Sequence, residues 1–330
     1  MELNGKDSIV FETLPSDSSF GKKTTRFSRY KESLIKLFFT LNGLTALIFI
    51  ILIFIFLFKE GIKAFSHIGL LDFIYTDRLD INNVVQRVYE WYPTSELARY
   101  SLVPLLGGTL LTAIPATIIS TIFGVAAGIY LSEIAHPRFR EFLKPAIELF
   151  AAIPTVVIGF IMLAIGATFF QELLHPSNRL NAFVASMGLS IVIIPIIASL
   201  TEDALRSIPV DLRMASYGMG ATKWQTISKV ILPAAFSGVS ASIILGFGRA
   251  VGETMIVLMA SGNASNMTLD IFKSVRTMTA TIAAEMGEVS QGSDHYYALF
   301  FIGIVLFIIT FVLNLFAEII IFKMRKKNTF

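Results

Sequence analysis

Six long apolar runs alternate with polar stretches along the chain. Each run can cross the hydrocarbon core of a bilayer, which is about 30 Å thick and takes roughly 20 helical residues. Prolines such as Pro115, Pro154 and Pro195 are no objection, because neighbouring helices satisfy the carbonyl groups that proline frees. Gly124 and Gly128 would allow close helix packing. The pattern predicts an all-α, polytopic membrane protein whose six transmembrane helices are residues 37–58, 110–131, 145–170, 180–200, 238–259 and 298–322.

The polar stretches divide the chain into predicted domains. Residues 1–36 form a polar tail that is too long and too polar for the first part of a signal peptide. A long loop, residues 59–103, follows the first span, residues 104–322 hold the other five, and residues 323–330 form a basic tail. The aromatic residues of the loop fit either a belt at the membrane surface or a seat for an extracytoplasmic partner: Phe65, Phe73, Tyr75, Trp91 and Tyr92.

Composition agrees with a membrane protein. Hydrophobic residues make up 54% of the chain, charged residues 15%, and the mean hydropathy is +0.70. Soluble domains are about 45–50% apolar and about 25% charged. The chain has no cysteine, which excludes disulfides, thiol chemistry and C-x-x-C metal sites.

The distribution of basic residues predicts the orientation, because short cytoplasmic loops are enriched in Lys and Arg. The richer loops are those after spans two and four, together with the C-terminal tail. The loops after spans three and five are poorer in basic residues or balance them with acids. Both termini are therefore expected in the cytoplasm. The basic residues are Arg138, Arg140, Lys144, Arg206, Arg213, Lys223, Lys229, Lys323, Arg325, Lys326 and Lys327.

Residues 202–233, here called the finger, form a long polar insertion between two spans. Pro209 can open a short helix, and Gly218 and Gly220 can end it. Thr222 and Gln225 have the spacing of a capping box, which begins a second helix. The pattern predicts a helix, a break and a helix on the cytoplasmic side, serving either as a solvated loop or as a docking element for a soluble partner.

The finger resembles the cytoplasmic loop of binding-protein-dependent ABC importer permeases. That signature reads E-A-A, three residues, G, nine residues and I-x-L-P, and the spacing is intact here. Met214 replaces the acidic residue, so the salt bridge that the family's glutamate can make with an ATPase is in question at this position. The resemblance implies that the finger contacts an ATPase through Met214, Ala215, Ser216, Gly220, Ala221, Thr222, Trp224, Leu232 and Pro233.

Arg249 and Glu253 are two charged residues deep in the predicted fifth span. At 1.5 Å per residue, Arg249 would lie roughly 18 Å from the inner face and Glu253 roughly 6 Å further. A charge at that depth costs at least about 2.5–3.5 kcal/mol, so each must face protein or water. Their spacing of four places both on one face of a continuous helix, where they could form a structural pair or line a transport path.

The sequence R-A-V-G-E-T-M, residues 249–255, resembles phosphate-specific transport permeases of the PstC type. Further matches are I-P-T-V-V-I-G-F at 153–160 and H-Y-Y-A-L-F at 295–300, and the resemblance covers residues 34–330. It implies that Arg249 and Glu253 are the transport-critical pair, with Thr254 beside them. Arginine offers a fixed fork of donors to phosphate oxygens. Sulfate and molybdate permeases share R-x-x-G-E, so import of another oxyanion is the alternative.

The resemblance also implies a type I ABC importer permease fold in the bacterial inner membrane and a set of partners. These are a second, PstA-type permease, a PstB-type ATPase dimer at the finger, an extracytoplasmic PstS-type phosphate-binding protein and membrane lipid, with no nucleic acid. The chain has no G-x-x-x-x-G-K-[ST] motif for ATP. No enzyme activity, cofactor or metal is therefore expected here, since ATP and magnesium belong to the partner ATPase.

Two other classes of membrane protein fit the sequence less well. An intramembrane hydrolase needs catalytic groups within the spans, yet the four histidines, His67, His136, His175 and His295, lie in loops or at span ends. An ATP-independent channel or secondary transporter is expected to show repeats or broken helices at matched positions, which the sequence does not display.

Overall fold

The computed structural model describes residues 26–79 and 85–327, with side chains described for 31–77 and 86–320. The predicted tail at 1–36 lies mostly outside these ranges, and so do the side chains of the C-terminal basic residues. The first helices are α1 (Arg26–His67), α2 (Val103–Ile129), α3 (Pro137–Ala151), α4 (Thr155–Ile161), α5 (Ala167–Leu174) and α6 (Ala182–Arg206). They are followed by α7 (Val210–Gly218), α8 (Lys223–Thr226), α9 (Leu232–Ala234), α10 (Phe236–Gly252), α11 (Met255–Ala260), α12 (Met278–Glu285) and α13 (Asp294–Lys327).

Three short π-helical turns join consecutive helices. Tyr130–Ile134 extends α2, Met162–Gly166 joins α4 to α5, and Ile227–Ile231 joins α8 to α9. Such turns hold one extra residue and are frequent at functional places in helices. The chain divides into two compact units, one ending at Ile55 and the other beginning at Phe56. In the first unit the described side chains of α1 are exposed, and those of residues 46–55 are all apolar, as expected for a helix in lipid.

The prediction of six spans is confirmed. Among the described residues, five helical segments are long and apolar enough to cross a membrane, and a bent pair counted as one span makes a sixth. That pair consists of Lys223–Ala234 and Phe236–Gly252, which meet at an angle of 69°. The second helix of the finger therefore runs directly into the fifth span.

The third span was predicted to begin too early. The run 145–170 joins two helices that the structure separates, α3 and the segment Thr155–Leu174. Pro154 lies between them with ψ 129°. Proline lacks an N–H and disfavours helical geometry in the residue before it, which favours a break at this point.

In the second unit, α2 and α6 pack closely along each other. A Cβ at Gly124 would come within 2.8 Å of the Ile197 Cβ, and one at Gly128 within 2.7 Å of the Thr201 Cβ. The predicted close packing at both glycines is therefore confirmed for this helix pair. Ser120 donates a hydrogen bond across the interface to the Ser190 carbonyl, 3.2 Å away.

Two short antiparallel hairpins follow α1. β1 (Thr76–Leu79) pairs with β2 (Val85–Val88), and β3 (Trp91–Tyr92) pairs with β4 (Arg99–Tyr100). Neither interpretation of the loop's aromatic residues holds for Trp91 and Phe73, because these side chains are 0% and 5% exposed. They pack in an apolar core with Leu299 of α13. Such burial depends on residues far away along the chain.

Candidate functional site

The fifth span is broken at Glu253. α10 ends at Gly252, Glu253 has extended backbone angles (φ −71°, ψ 135°), and a second helix begins at Met255. The Glu253 Oε1 atom accepts hydrogen bonds from the backbone N–H groups of Thr254 at 3.0 Å and Met255 at 3.1 Å. These N–H groups have no partner inside a helix. The carboxylate therefore stabilises the break in the helix.

The other carboxylate oxygen faces Arg249. Its Oε2 lies 3.7 Å from the Arg249 Nη2 atom, and the two side chains are 6% and 49% exposed. The predicted continuous helix was wrong here, since Glu253 lies outside it, yet the side chain still reaches back to Arg249. Within the described part of the chain, the Arg249 guanidinium forms no hydrogen bond. Its N–H donors are therefore available to another group.

Several threonines hold the broken segment in place. Thr279 donates from Oγ1 to the Glu253 carbonyl at 2.7 Å, and Thr277 accepts from Ala280 N–H to cap α12. Thr254 is partly buried, and its Oγ1 lies 3.4 Å from the Gly252 carbonyl. Arg249 and Glu253 thus face each other, and Thr254 adjoins Glu253, while their role in transport stays a prediction. Thr279 is not among the predicted site residues, and its signal in the sequence is the run T-M-T-A-T at 277–281.

The finger has the local structure that its sequence predicts. α7 begins after Pro209 and ends at Gly218, and Gly220 has φ +81°. Thr222 and Gln225 form the complete capping box at the start of α8. Ser216 and Thr226 are joined by a 2.9 Å hydrogen bond between hydroxyl groups, which ties the first helix to the second.

Large apolar side chains project from the finger. Met214 is 64% exposed, Trp224 67% and Met219 88%. Among the other predicted contact residues, Ala215, Gly220, Thr222 and Pro233 are exposed, whereas Ser216, Ala221 and Leu232 are half-buried. Met219 is not among the predicted contact residues, although it stands directly before the turn at Gly220.

Buried ion pairs attach the finger to the spans. The Arg213 Nη2 atom lies 2.9 Å from a carboxylate oxygen of Glu133, and the side chains are 16% and 7% exposed. The same guanidinium donates to the carbonyls of Leu205 at 2.8 Å and Ile208 at 2.5 Å.

A second attachment joins α3 to α6. Lys144 binds Glu202, which is fully buried, and Asp203. Burial acts to lower the pKa of Lys144, but the hydrogen bonds and negative charges of Asp203 and Glu202 outweigh it and raise that pKa. The ammonium group therefore stays charged at neutral pH, and the end of α6 is fixed from two sides.

A cavity of about 370 Å³ opens at the other end of the spans. There Glu285 accepts hydrogen bonds from Trp91 Nε1 at 2.9 Å and contacts Arg276 and His295. Burial acts to raise the pKa of Glu285, but bonds to His295 and Trp91 and the charge of Arg276 lower it overall. This cluster had no local sequence signal, since its members come from three separate segments.

No group of three or more His, Cys, Asp and Glu side chains that could hold a metal ion is found among the described residues. Two further groups of charged residues lie at the broken fifth span and at the base of the finger. The segment that supports the broken span contacts α2 where Met278 N–H donates to Thr109, and the base of the finger contacts the π-helical extension of α2 at Glu133.

Comparison with known proteins agrees with this architecture. Residues 120–326 match the family model described as "Binding-protein-dependent transport system inner membrane component". The "Probable ABC transporter permease protein YqgH" of Bacillus subtilis (strain 168) is 35% identical over 222 residues, which cover 67% of this chain and 72% of that protein. The "Phosphate transport system permease protein PstC" of Pasteurella multocida is 33% identical over 258 residues, covering 72% and 79%.

Solved structures share the fold. A chain of a bacterial ABC transporter involved in the import of alginate has a TM-score of 0.55 at 13% identity, covering 92% of this chain and 100% of that one. A chain of the MetNI methionine ABC transporter has a TM-score of 0.54 at 20% identity, covering 68% and 95%. The chain is a multi-pass membrane permease with the ABC importer fold, and it belongs to the family of binding-protein-dependent transport system inner membrane components.

Proposed function

We propose that this chain is the transmembrane permease subunit of an ATP-driven importer that moves inorganic phosphate into the cytoplasm. The observation that carries the proposal is the Arg249 guanidinium, half exposed, without a hydrogen bond in the described chain and set in a broken membrane span. The sequence R-A-V-G-E-T-M around it and the similarity to PstC proteins support phosphate as the substrate.

The chemistry of the pair suits a transient anion contact. A separation of 3.7 Å exceeds hydrogen-bond length, so a phosphate oxygen can replace the carboxylate beside Arg249 without breaking a hydrogen bond. Glu253 stays in place because its other oxygen is bound to two backbone N–H groups. Its free oxygen can accept a hydrogen bond from a protonated phosphate oxygen, which fully ionised sulfate cannot supply. Thr254 stands next to this place.

The proposed complex includes a second, PstA-type permease, a PstB-type ATPase dimer and an extracytoplasmic PstS-type phosphate-binding protein. The ATPase, which brings ATP and magnesium, would dock on the finger. Exposed Met214, Met219 and Trp224 support an apolar contact there. Because methionine carries no charge, the contact at position 214 would rest on packing rather than on a salt bridge.

The proposed orientation has both termini and the finger in the cytoplasm. Since the chain has no cysteine, single cysteines report accessibility without background. Cysteines at Ser18 and Ser207 are expected to react with an impermeant thiol reagent only from the cytoplasm, and one at Ser95 only from outside. Ser18 lies outside the described residues. Labelling of the Ser95 variant from the cytoplasm alone would reverse the orientation.

Substrate identity is tested by competition in vesicles that hold the complete complex. We expect uptake of labelled phosphate to require ATP and the binding protein, and to fall in excess unlabelled phosphate. Excess sulfate or molybdate is expected to leave the uptake rate unchanged. Inhibition by either of these anions, with their own ATP-driven uptake, would favour the alternative oxyanion over phosphate.

A further inference from the structure

We propose that Arg213 and Glu133 form a mechanical link through which the finger moves α2, and that α2 carries this movement to the broken span at Glu253. The inference rests on the proposed function, because it assigns a route between ATPase docking and the substrate path. Arg213 and Glu133 are positioning residues in this scheme, since neither touches the substrate.

At the finger end the link is fixed by several bonds to one group. The Arg213 guanidinium contacts Glu133 at 2.9 Å and donates to the Leu205 and Ile208 carbonyls. One planar group therefore joins α7, the last turn of α6 and the extension of α2. The low exposure of both charged side chains, 16% and 7%, limits screening by water. A displacement of α7 must move the end of α2 or break this contact.

Between its ends α2 is one helix, with Pro115 inside it and the π-helical turn that holds Glu133 at its end. At about 1.5 Å per residue, the stretch from Thr109 to Glu133 is roughly 36 Å long. Gly124 and Gly128 bring the helix into close contact with α6. Small residues on this interface let the backbones approach, so that α2 is guided along α6 over several turns.

At the far end α2 contacts the segment that holds Glu253. The Thr109 hydroxyl accepts a hydrogen bond from Met278 N–H at 3.1 Å, and a Cβ at Gly108 would overlap the Arg276 carbonyl. The next residue after Met278, Thr279, donates to the Glu253 carbonyl at 2.7 Å. The contacts therefore form an unbroken series from Arg213 to the residue that stands beside Arg249.

The first test removes the charge at the finger end. Glu133→Gln keeps the size of the side chain but weakens its hold on Arg213. The measured quantity is the coupling ratio, which is the number of ATP molecules hydrolysed for each phosphate imported into vesicles with the complete complex. We expect this ratio to rise about 10-fold. A change of that size is within the range found for mutations that alter coupling between sites. A purely structural role would lower the amount of complex, and hydrolysis and uptake would fall together at an unchanged ratio.

A second variant covers the case in which Glu133→Gln does not assemble. Arg213→Lys keeps the charge but cannot hold a carboxylate and two carbonyls at once. Its ratio of ATP to phosphate is expected to rise by less than that of Glu133→Gln. The matched control is Glu90→Gln, which removes the partner of Arg99 in a pair with side chains 24% and 19% exposed at the hairpin. This control is expected to keep the wild-type ratio.

The far end is tested in the same assay with Thr109→Val. This change removes the acceptor for Met278 N–H. It is expected to raise the ratio of ATP hydrolysed to phosphate imported. Thr117→Val is its control, because the buried Thr117 hydroxyl bonds only to the Ala113 carbonyl of its own helix among the described residues. If both ends act in series, combining Glu133→Gln with Thr109→Val should raise the ratio no further than the stronger single change. If the two changes act independently, the double variant should raise the ratio by the product of the two single increases.

The outcomes separate this inference from the proposed function. If the wild-type complex imports no phosphate, the proposed function fails first. If it imports phosphate and both Glu133→Gln and Arg213→Lys keep the wild-type ratio, the link is wrong while the function stands. Multiplying effects of Glu133→Gln and Thr109→Val would overturn the route through α2.

Discussion

Replacing Gly220 by valine is expected to uncouple ATP hydrolysis from phosphate uptake while the protein still reaches the membrane. Gly220 has φ +81°, where an L-residue costs about 1–2 kcal/mol and a β-branched one is especially strained. The turn would shift, and with it the exposed side chains on either side. Uptake and hydrolysis are measured together in vesicles, with the membrane content of the protein determined by immunoblot.

Gly220→Asn tests whether coupling depends on the backbone conformation at this position or on the absence of a side chain. Asparagine tolerates the left-handed conformation, and a Cβ at position 220 meets no atom within 4 Å in the chain itself. We expect this variant to retain most coupled uptake. A loss in both variants would mean that the docked ATPase also needs the space above the turn. Normal coupling in Gly220→Val would contradict the assignment of the finger as the docking element.

The finger was predictable because its structure depends on neighbouring residues. Its features are local: a proline before a helix, a glycine at positive φ, and a threonine hydroxyl that accepts a hydrogen bond from the backbone N–H three residues later. The π-helical turn Ile227–Ile231 and the 69° bend before α10 were not predicted. They depend on how Ile227 and Ile231 pack into a core with Leu205 and Val239.

The break in the fifth span could not be read from hydrophobicity. G-E-T-M contains no proline, and the apolar run continues through it, so the pattern favoured one helix. The cause is a carboxylate that bonds to two backbone N–H groups just after it. A glutamate at this place is equally compatible with a continuous helix. The broken form is also supported by Thr279, which donates to the Glu253 carbonyl from a distant segment.

Contacts between distant residues had no signal in a single sequence. Glu133 and Arg213 are 80 positions apart, and Trp91 and Glu285 are 194 apart. Glu133 stands among ordinary loop residues in the sequence, and Trp91 was interpreted as a surface aromatic. Their burial follows from the order in which the helices pack, which requires the whole chain.

Arg249→Gln is expected to abolish phosphate uptake without preventing assembly of the complex. The pair with Glu253 is 3.7 Å long, which exceeds hydrogen-bond length, and Arg249 is 49% exposed, so its replacement breaks no hydrogen bond among the described residues. Glutamine retains one donor group but no charge. Lysine should restore only part of the uptake, because a point charge lacks the planar fork of donors. Uptake and the amount of purified complex are measured side by side.

Two variants distinguish a transport path from a packing pair. They are Glu253→Gln alone and the double variant that combines it with Arg249→Gln. Glutamine at 253 keeps a carbonyl oxygen for Thr254 and Met255 N–H, so the break should persist while transport falls. Exchanging the two residues is less informative, because arginine at 253 cannot accept those bonds. If the charges serve packing alone, Arg249→Gln combined with Glu253→Gln leaves neither charge without its partner and should restore transport. If Arg249 binds the passing anion, the assembled double variant stays inactive, and transport by it at the wild-type rate would show that the pair only packs.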